Sequence, residues 1–276
     1  MTISKHVILL KTGIVVSFLA FAAFAASAWY VFPFYPDLID YEQAPRNIPA
    51  FMSSILPPPE PYTAFVATGL SVLFALVSQI LLFYFFEKTQ STEIRFLSIF
   101  LFSFTFEILR IQYPLKEALQ LSGYIPAITA RLLIFGRLYG TFALFVAGLY
   151  ACGFKMRREE NIIFPMVMIA LLLAFRAPFD MFRYDTNICP VMVFSHMFRV
   201  ASAAIVLLSM YCFISGAYTR NNQEYYLIAP GILAAAVGRF LLFTADTWLM
   251  LFPAFAILLF GTWFAGSQLR RMYLWA

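Results

Sequence analysis

Eight times along its 276 residues the chain runs on for 17 or more residues that are almost all apolar, and polar connections separate the runs. An α-helix rises about 1.5 Å per residue, so roughly 20 apolar residues cross the ~30 Å hydrocarbon core of a bilayer. A helix also satisfies its backbone hydrogen bonds internally, which lipid demands. The runs cover residues 7–32, 62–86, 96–113, 128–154, 162–178, 191–216, 227–243 and 248–266. They predict an all-α, polytopic transmembrane helix bundle of about eight spans. The last two are separate because one helix over residues 227–266 would be about 60 Å long, twice the core. Thr244-Ala245-Asp246-Thr247 offers the turn between them. With 62% hydrophobic and 12% charged residues, against about 45–50% and 25% in soluble domains, a soluble core, a solvated disordered chain and a disulfide-stapled scaffold are excluded.

Three regions follow. Residues 1–32 form an N-terminal membrane anchor or signal-like helix: basic Lys5 and Lys11, an apolar stretch, then Ala26-Ser27-Ala28 in the pattern of a signal-peptidase site. Cleavage there would leave seven spans, but the apolar run continues through Trp29 to Phe32, as an uncleaved anchor requires. Residues 33–61 form an extracytoplasmic loop holding eight of the fifteen prolines. Such a segment favours extended polyproline II geometry, as a stiff spacer or as a lid. Residues 62–276 form a seven-helix membrane core.

Lys and Arg near short loops set orientation. One set of connections carries Lys5, Lys11, Lys88, Arg95, Lys155, Arg157, Arg158, Arg220, Arg270 and Arg271, and the other only Arg46, Lys116 and Arg183. This asymmetry predicts a multi-pass protein of the cell (plasma or inner) membrane with both termini cytoplasmic. The Lys155, Arg157, Arg158 run is the candidate contact for a cytoplasmic partner.

Charges within a span cost about 2.5–3.5 kcal/mol each at the centre, so each asks for a partner or a purpose. Glu107 and Arg110 lie on the third span, Arg131 and Arg137 on the fourth, Arg176 on the fifth, His196 and Arg199 on the sixth and Arg239 on the seventh. With the orientation above all fall in the outer half, Arg137 and Arg199 about 13–15 Å below the outer end, and the inner halves carry no equivalent set. Glu107 with Arg110 and His196 with Arg199 are i,i+3 pairs that share a helix face. With the rim residues Asp180, Arg183, Asp185 and Asp246 included, seven arginines face four acids. The surplus predicts an outward-opening pocket between the third and seventh spans that binds an anionic ligand, a lipid phosphate or a carboxylate, because the guanidinium fork matches both. Arg137 and Arg199 lead as ligand contacts, with Arg110, Arg131, Arg176 and Arg239 behind them. Glu107 and His196 are the candidate acid–base residues. The alternating segment from Phe175 to Asp185 either aims Asp180 and Arg183 into that pocket or forms an interfacial aromatic belt.

Other chemistry is excluded or finds no residues. His6 and His196 are the only histidines, too few for a bis-histidine haem or a histidine-rich metal centre, and no cofactor is expected. Cys152, Cys189 and Cys212 form no CxxC; Cys189, in a short polar segment, is the one to examine for reactivity. A Cys152, Arg176, His196 constellation fails because Cys152 falls at the opposite end of its span. No lysine follows Lys155, which excludes a retinal Schiff base. The basic residues lie on no soluble face, and no nucleic-acid motif is present, so no nucleic-acid partner is expected. No glycine pair is taken as a helix-association signature. A receptor-like binding protein that depends on a partner for output leads. A transferase or hydrolase acting on a lipid-linked or phosphorylated substrate comes second. A transporter is third, for want of inner-half polar residues and a repeat.

Overall fold

The computed structural model describes residues 3–33, 35, 44–48, 55–87, 89, 91–119, 124–154, 160–221 and 223–274. Each of the eight apolar runs lies on helix. The elements are α1 (Ile3–Val31), α2 (Pro61–Phe86), α3 (Thr92–Phe102), which passes into a 3-10 segment (Ser103–Ile111) and on into α4 (Gln112–Leu119), then α5 (Tyr124–Ala151), α6 (Glu160–Arg176), a hairpin of β1 (Phe179–Tyr184) and β2 (Pro190–Met192), α7 (Ser195–Arg220), α8 (Glu224–Thr244) and α9 (Trp248–Leu274). Six helices, α1, α2, α5, α7, α8 and α9, are long and apolar enough to cross a bilayer. The chain is a multi-pass membrane protein with an all-α bundle and one small antiparallel hairpin.

Three boundaries differ from the sequence reading for local reasons. The third run is a continuous helical stretch over residues 92–119, longer than expected, because the tighter 3-10 turns carry it past Arg110. α6 ends at Arg176, two residues before Pro178, since proline disfavours helical geometry in the residue before it. α7 begins at Ser195 and not at 191, because Pro190–Met192 is drawn into the hairpin, with Phe179 opposite Met192 and Tyr184 opposite Pro190.

The successive helices alternate in direction, so both termini lie at one end of the bundle, the terminal end, and the β-hairpin lies at the other, the hairpin end. The main apolar core joins α2, α3, α5, α8 and α9 around Phe100 and Phe104. α1 flanks it through Phe24 against Phe65 on α2, with ring centroids 5.5 Å apart. α6 joins the other flank through Ala170 and Ala174 against Ile134 and Leu138 of α5. The large side chains of α1, α6 and α7 that face away from the bundle are apolar, as lipid-facing surfaces are: Leu19, Phe164, Leu172 and Leu207 are each about 60% exposed or more.

The tightest packing is between α8 and α9. A Cβ on Gly238 would lie 2.4 Å from the backbone nitrogen of Leu258, and one on Gly261 would lie 2.4 Å from that of Ala235. Small residues let two helix backbones approach where lipid removes the hydrophobic drive for association. Gly238→Ala should therefore destabilise the protein by about 1–3 kcal/mol, the usual cost of overpacking. Thermal unfolding in detergent checks this against Gly266→Ala, whose Cβ meets open space and which should leave the midpoint unchanged or slightly raised. Equal midpoints for the two variants would show that the helices separate freely here.

Candidate functional site

The 3-10 segment builds the site. Nine residues is long for a 3-10 helix, which rarely runs beyond about four, and its i and i+3 side chains eclipse one another. Glu107 and Arg110 therefore stand on one edge, both essentially inaccessible. From α5, Arg137 closes a two-pronged bond on that carboxylate: Nε donates to Glu107 Oε1 and Nη2 to Oε2, each at 2.8 Å. Arg110 Nη1 stands 3.6 Å from Glu107 Oε2. Arg239 arrives from α8, donating through Nη2 to the carbonyl of Arg137 at 3.2 Å. Its guanidinium lies 5.1–5.2 Å from the ring centroids of Phe100, Phe104 and Phe243.

Two glycines make this convergence possible. A Cβ on Gly136 would meet Phe106 at 2.4 Å, and one on Gly140 would meet Ser103 Oγ at 2.1 Å and Arg239 Nη1 at 2.5 Å. They are four apart on α5 and bracket Arg137, so the backbone of α5 is bare where the 3-10 segment and Arg239 press against it. This Gly-x-x-x-Gly spacing was readable in the sequence, and passing over glycine pairs missed it.

The hairpin roofs the centre. Its loop residues Asp185, Thr186, Asn187, Ile188 and Cys189 are all buried. Arg110 donates through Nε to the carbonyl of Asn187 at 2.9 Å and again through Nη2. Arg137 Nη2 also reaches Cys189 Sγ at 3.3 Å. Asp185 Oδ1 accepts the backbone N–H groups of Asn187 at 3.0 Å and Cys189 at 2.8 Å. Those two bonds flank Ile188, which takes φ 59°, a left-handed backbone that a β-branched residue adopts only when its surroundings fix it. Burial pushes the Asp185 carboxyl above its ordinary range, against the pull of the Cys189 N–H and of Arg110 and Arg137. Burial likewise pushes up the Cys189 thiol, opposed by the same two arginines. The Cys189 side chain is thus a buried thiol held away from its nucleophilic form.

The roof is pinned to the bundle at Asp246, in the α8–α9 turn. Arg46 donates to it through Nε at 2.7 Å and Nη2 at 3.0 Å, and Thr186 N–H donates to the Pro45 carbonyl at 3.2 Å. Asn187 Nδ2 adds a bond to the Thr244 carbonyl at 3.3 Å. The proline-rich loop therefore touches the hairpin through Pro45 and Asn47 and the α8–α9 turn through Arg46; residues 36–43 and 49–54 of that loop lie outside the described residues. Between the 3-10 segment, α5 and the hairpin lies a narrow crevice of about 10 Å³, lined by Arg110, Gln112, Tyr113, Thr129, Tyr184 and Pro190 among others.

The eight site residues proposed from sequence divide into two groups. Glu107, Arg110, Arg137 and Arg239 come together in the centre. Arg131, Arg176, His196 and Arg199 stay outside it, around the hairpin-end termini of α5, α6 and α7. Arg137 is deeper than expected, 13 residues or about 20 Å from the start of α5. Arg199 is shallower, about one turn into α7, because the hairpin takes residues 190–192. Asp180 and Arg183 do not turn inward; they sit 3.8 Å apart with Arg183 79% exposed.

The expectation that the terminal end lacks a polar set is corrected. Glu93, on the first turn of α3, is buried and accepts from Ser91 Oγ at 2.6 Å and from Tyr273 OH at 2.9 Å. Arg220 Nη1 stands 3.3 Å from it and donates to Tyr225 OH at 2.7 Å. Five helix ends meet there, since Arg220 also bonds the Tyr150 carbonyl. The sequence reading had counted Arg95 and Arg220 as loop charges, whereas Arg95 is buried and Arg220 is tied into this cluster. Lys155, Arg157 and Arg158 lie outside the described residues.

A protein of Treponema pallidum (strain Nichols), described as uncharacterized, is 30% identical over 111 residues, 40% of this chain and 31% of that protein. The chain thus spans about a third of the length of the curated relative it matches. No family model matches the chain, and no solved structure does.

The roof predicts a thiol measurement. In a Cys152→Ser, Cys212→Ser background, Cys189 should resist maleimide in the folded protein. Arg46→Ala leaves Asp246 buried and unpaired, a loss of at least ~1.4 kcal/mol in docking, and should speed labelling about tenfold or more. Equal labelling rates with and without Arg46 would show that the strap does not hold the hairpin down.

Proposed function

We propose that this membrane protein binds a small anionic group, a carboxylate or a phosphate, at the arginine centre beneath the hairpin. It would act in a receptor-like way and pass the signal to a partner protein. The hairpin end would face outward, as the Lys and Arg asymmetry of the connections favours.

Arg110 carries the reading. Its guanidinium is 1% exposed and lines the crevice, and its Nη1 donates no hydrogen bond. A buried donor without an acceptor is costly, and an entering anion would supply the acceptor. Charge supports this. Arg46, Arg110, Arg137 and Arg239 face Glu107, Asp185 and Asp246, four against three. The crevice has a volume of only about 10 Å³, so a whole lipid is excluded and an entering anion would have to part its walls.

The catalytic alternative draws less support. Glu107 has no accessible surface and Arg137 holds both its oxygens, so a substrate proton has no open approach of the kind a general base needs. His196 lies exposed at the start of α7, apart from that centre. Native mass spectrometry of the purified full chain tests the proposal together with thermal stabilisation by inorganic phosphate and acetate. Wild type should retain a phosphate or carboxylate compound, or be stabilised by one of these anions, and Arg110→Gln should lose both effects. If wild type holds no anion and neither probe moves its midpoint, the arginines are structural cross-links alone.

A further inference from the structure

The arginines left outside the Glu107 centre form a site of their own. α5 and α7 run parallel in a fixed register: Ser209 Oγ donates to the Leu144 carbonyl at 2.8 Å, and Cys152 Sγ reaches Ser215 Oγ at 3.5 Å, offsets of 65 and 63 residues. Carried toward the hairpin end, that register sets Arg131 level with His196 and Arg199 about one turn deeper, near Ile134. The end of α6 packs in the same place, with Ala174, Ala177, Ile134 and Phe198 in one apolar cluster. Arg131 lies over Phe175 at 5.4 Å and over Phe179 at 5.7 Å. Arg131, Arg176, His196 and Arg199 thus collar the ends of three helices.

We propose that this collar binds the phosphate of a membrane phospholipid, whose acyl chain lies along the outward faces of α6 and α7. Three observations meet. The Nε atoms of Arg131 and Arg199 are both buried and donate no hydrogen bond. Arg131 is held over its two rings with a donor left over, Arg199 likewise keeps an unused donor, and a phosphate oxygen is an acceptor that fits the fork. Arg131, Arg176 and Arg199 outnumber Asp180, which stands 3.8 Å from Arg183 at the rim, so the collar carries a positive excess. Directly below the arginines the surface is apolar and open: Leu172 is 58% exposed, Met197 67% and Val200 55%. Cations over an apolar wall at the ends of spanning helices match a headgroup above its acyl chain. A free anion would use only the cations.

The proposal stands apart from the Arg110 crevice. Its test is native mass spectrometry of the delipidated full chain in detergent, titrated with phosphatidylglycerol or with diacylglycerol, which lacks the phosphate. Wild type should bind phosphatidylglycerol, and the Arg131→Gln, Arg199→Gln double variant should bind it at least about tenfold more weakly, a loss of ~1.4 kcal/mol. Arg110→Gln should bind it as wild type does, which separates this site from the crevice. Diacylglycerol should bind weakly to all, and millimolar inorganic phosphate should not displace the lipid. Equal affinity of wild type and double variant overturns the proposal, as does displacement by inorganic phosphate or equal binding of diacylglycerol. Should the double variant fail to fold, Arg131→Lys, Arg199→Lys keeps the charge and removes the fork. It is expected to weaken binding several-fold, and unchanged affinity would equally overturn the proposal.

Discussion

The bond between Arg137 and Glu107 organises the hairpin end of the bundle. A carboxylate without accessible surface, deep among helices, is tolerable only when ionised partners and hydrogen bonds replace the water it has lost. Arg137 supplies two charge-assisted bonds from α5, and Arg110 adds its charge from the same edge of the 3-10 segment. Arg137 in turn offers its carbonyl to Arg239 of α8 and a guanidinium nitrogen to Cys189 of the hairpin. Three transmembrane elements and the roof are thereby fixed relative to one buried acid. Such a pair adds little net stability compared with an apolar filling, but removing either member strands the other and costs about 3–5 kcal/mol. Its contribution is to single out one packing arrangement.

A second buried acid does the same at the other end. Glu93 gathers hydroxyls from Ser91, Tyr225 and Tyr273, and Arg220. Between the two polar clusters the bundle is held by aromatic packing around Phe100 and Phe104 and by the glycine contacts of α8 with α9. The differences between the clusters bear on function. At the terminal end hydroxyls share the work and complete the shell around the carboxylate. Arg95 and Arg220 also outnumber Glu93 there, but at the hairpin end the carboxylate's direct partners are arginines and no hydroxyl, and Arg110 keeps a donor unused beside the crevice. Positive charge in excess of its partners is the physical basis for expecting an anion there.

Much of the fold was legible because lipid imposes a strict rule: an apolar run of spanning length becomes a helix. The turn at residues 244–247 followed from length alone, and α8 does end at Thr244 with α9 beginning at Trp248. What stayed hidden depended on tertiary context. Nothing in Phe179 to Met192 marked a hairpin whose loop would be buried, because its polar residues find their partners on the 3-10 segment, α5, α8 and the proline-rich loop, which are distant in sequence. The i,i+3 spacing of Glu107 and Arg110 foretold a shared face, and Arg137 came from depth alone. Arg199 was read as deep only because the start of its helix was placed four residues early. The sequence places Arg95 and Arg220 among the loop charges and does not single out Glu93, since a helix end gives no local sign that four others will bury it.

A double-mutant cycle on Glu107 and Arg137 tests the central claim most directly, using Glu107→Gln, Arg137→Gln and both together in equilibrium unfolding from mixed micelles. Each single variant should lose about 3 kcal/mol, since Glu107→Gln takes the carboxylate from Arg137 and Arg137→Gln leaves the buried Glu107 with only Arg110, 3.6 Å away, as its ion partner. The double variant should lose less than the sum by about 2 kcal/mol or more, because its two neutral amides strand no charge. Losses that add to within ~0.5 kcal/mol would contradict the account. They would mean that the two residues act independently and that the hairpin end is held together by something else.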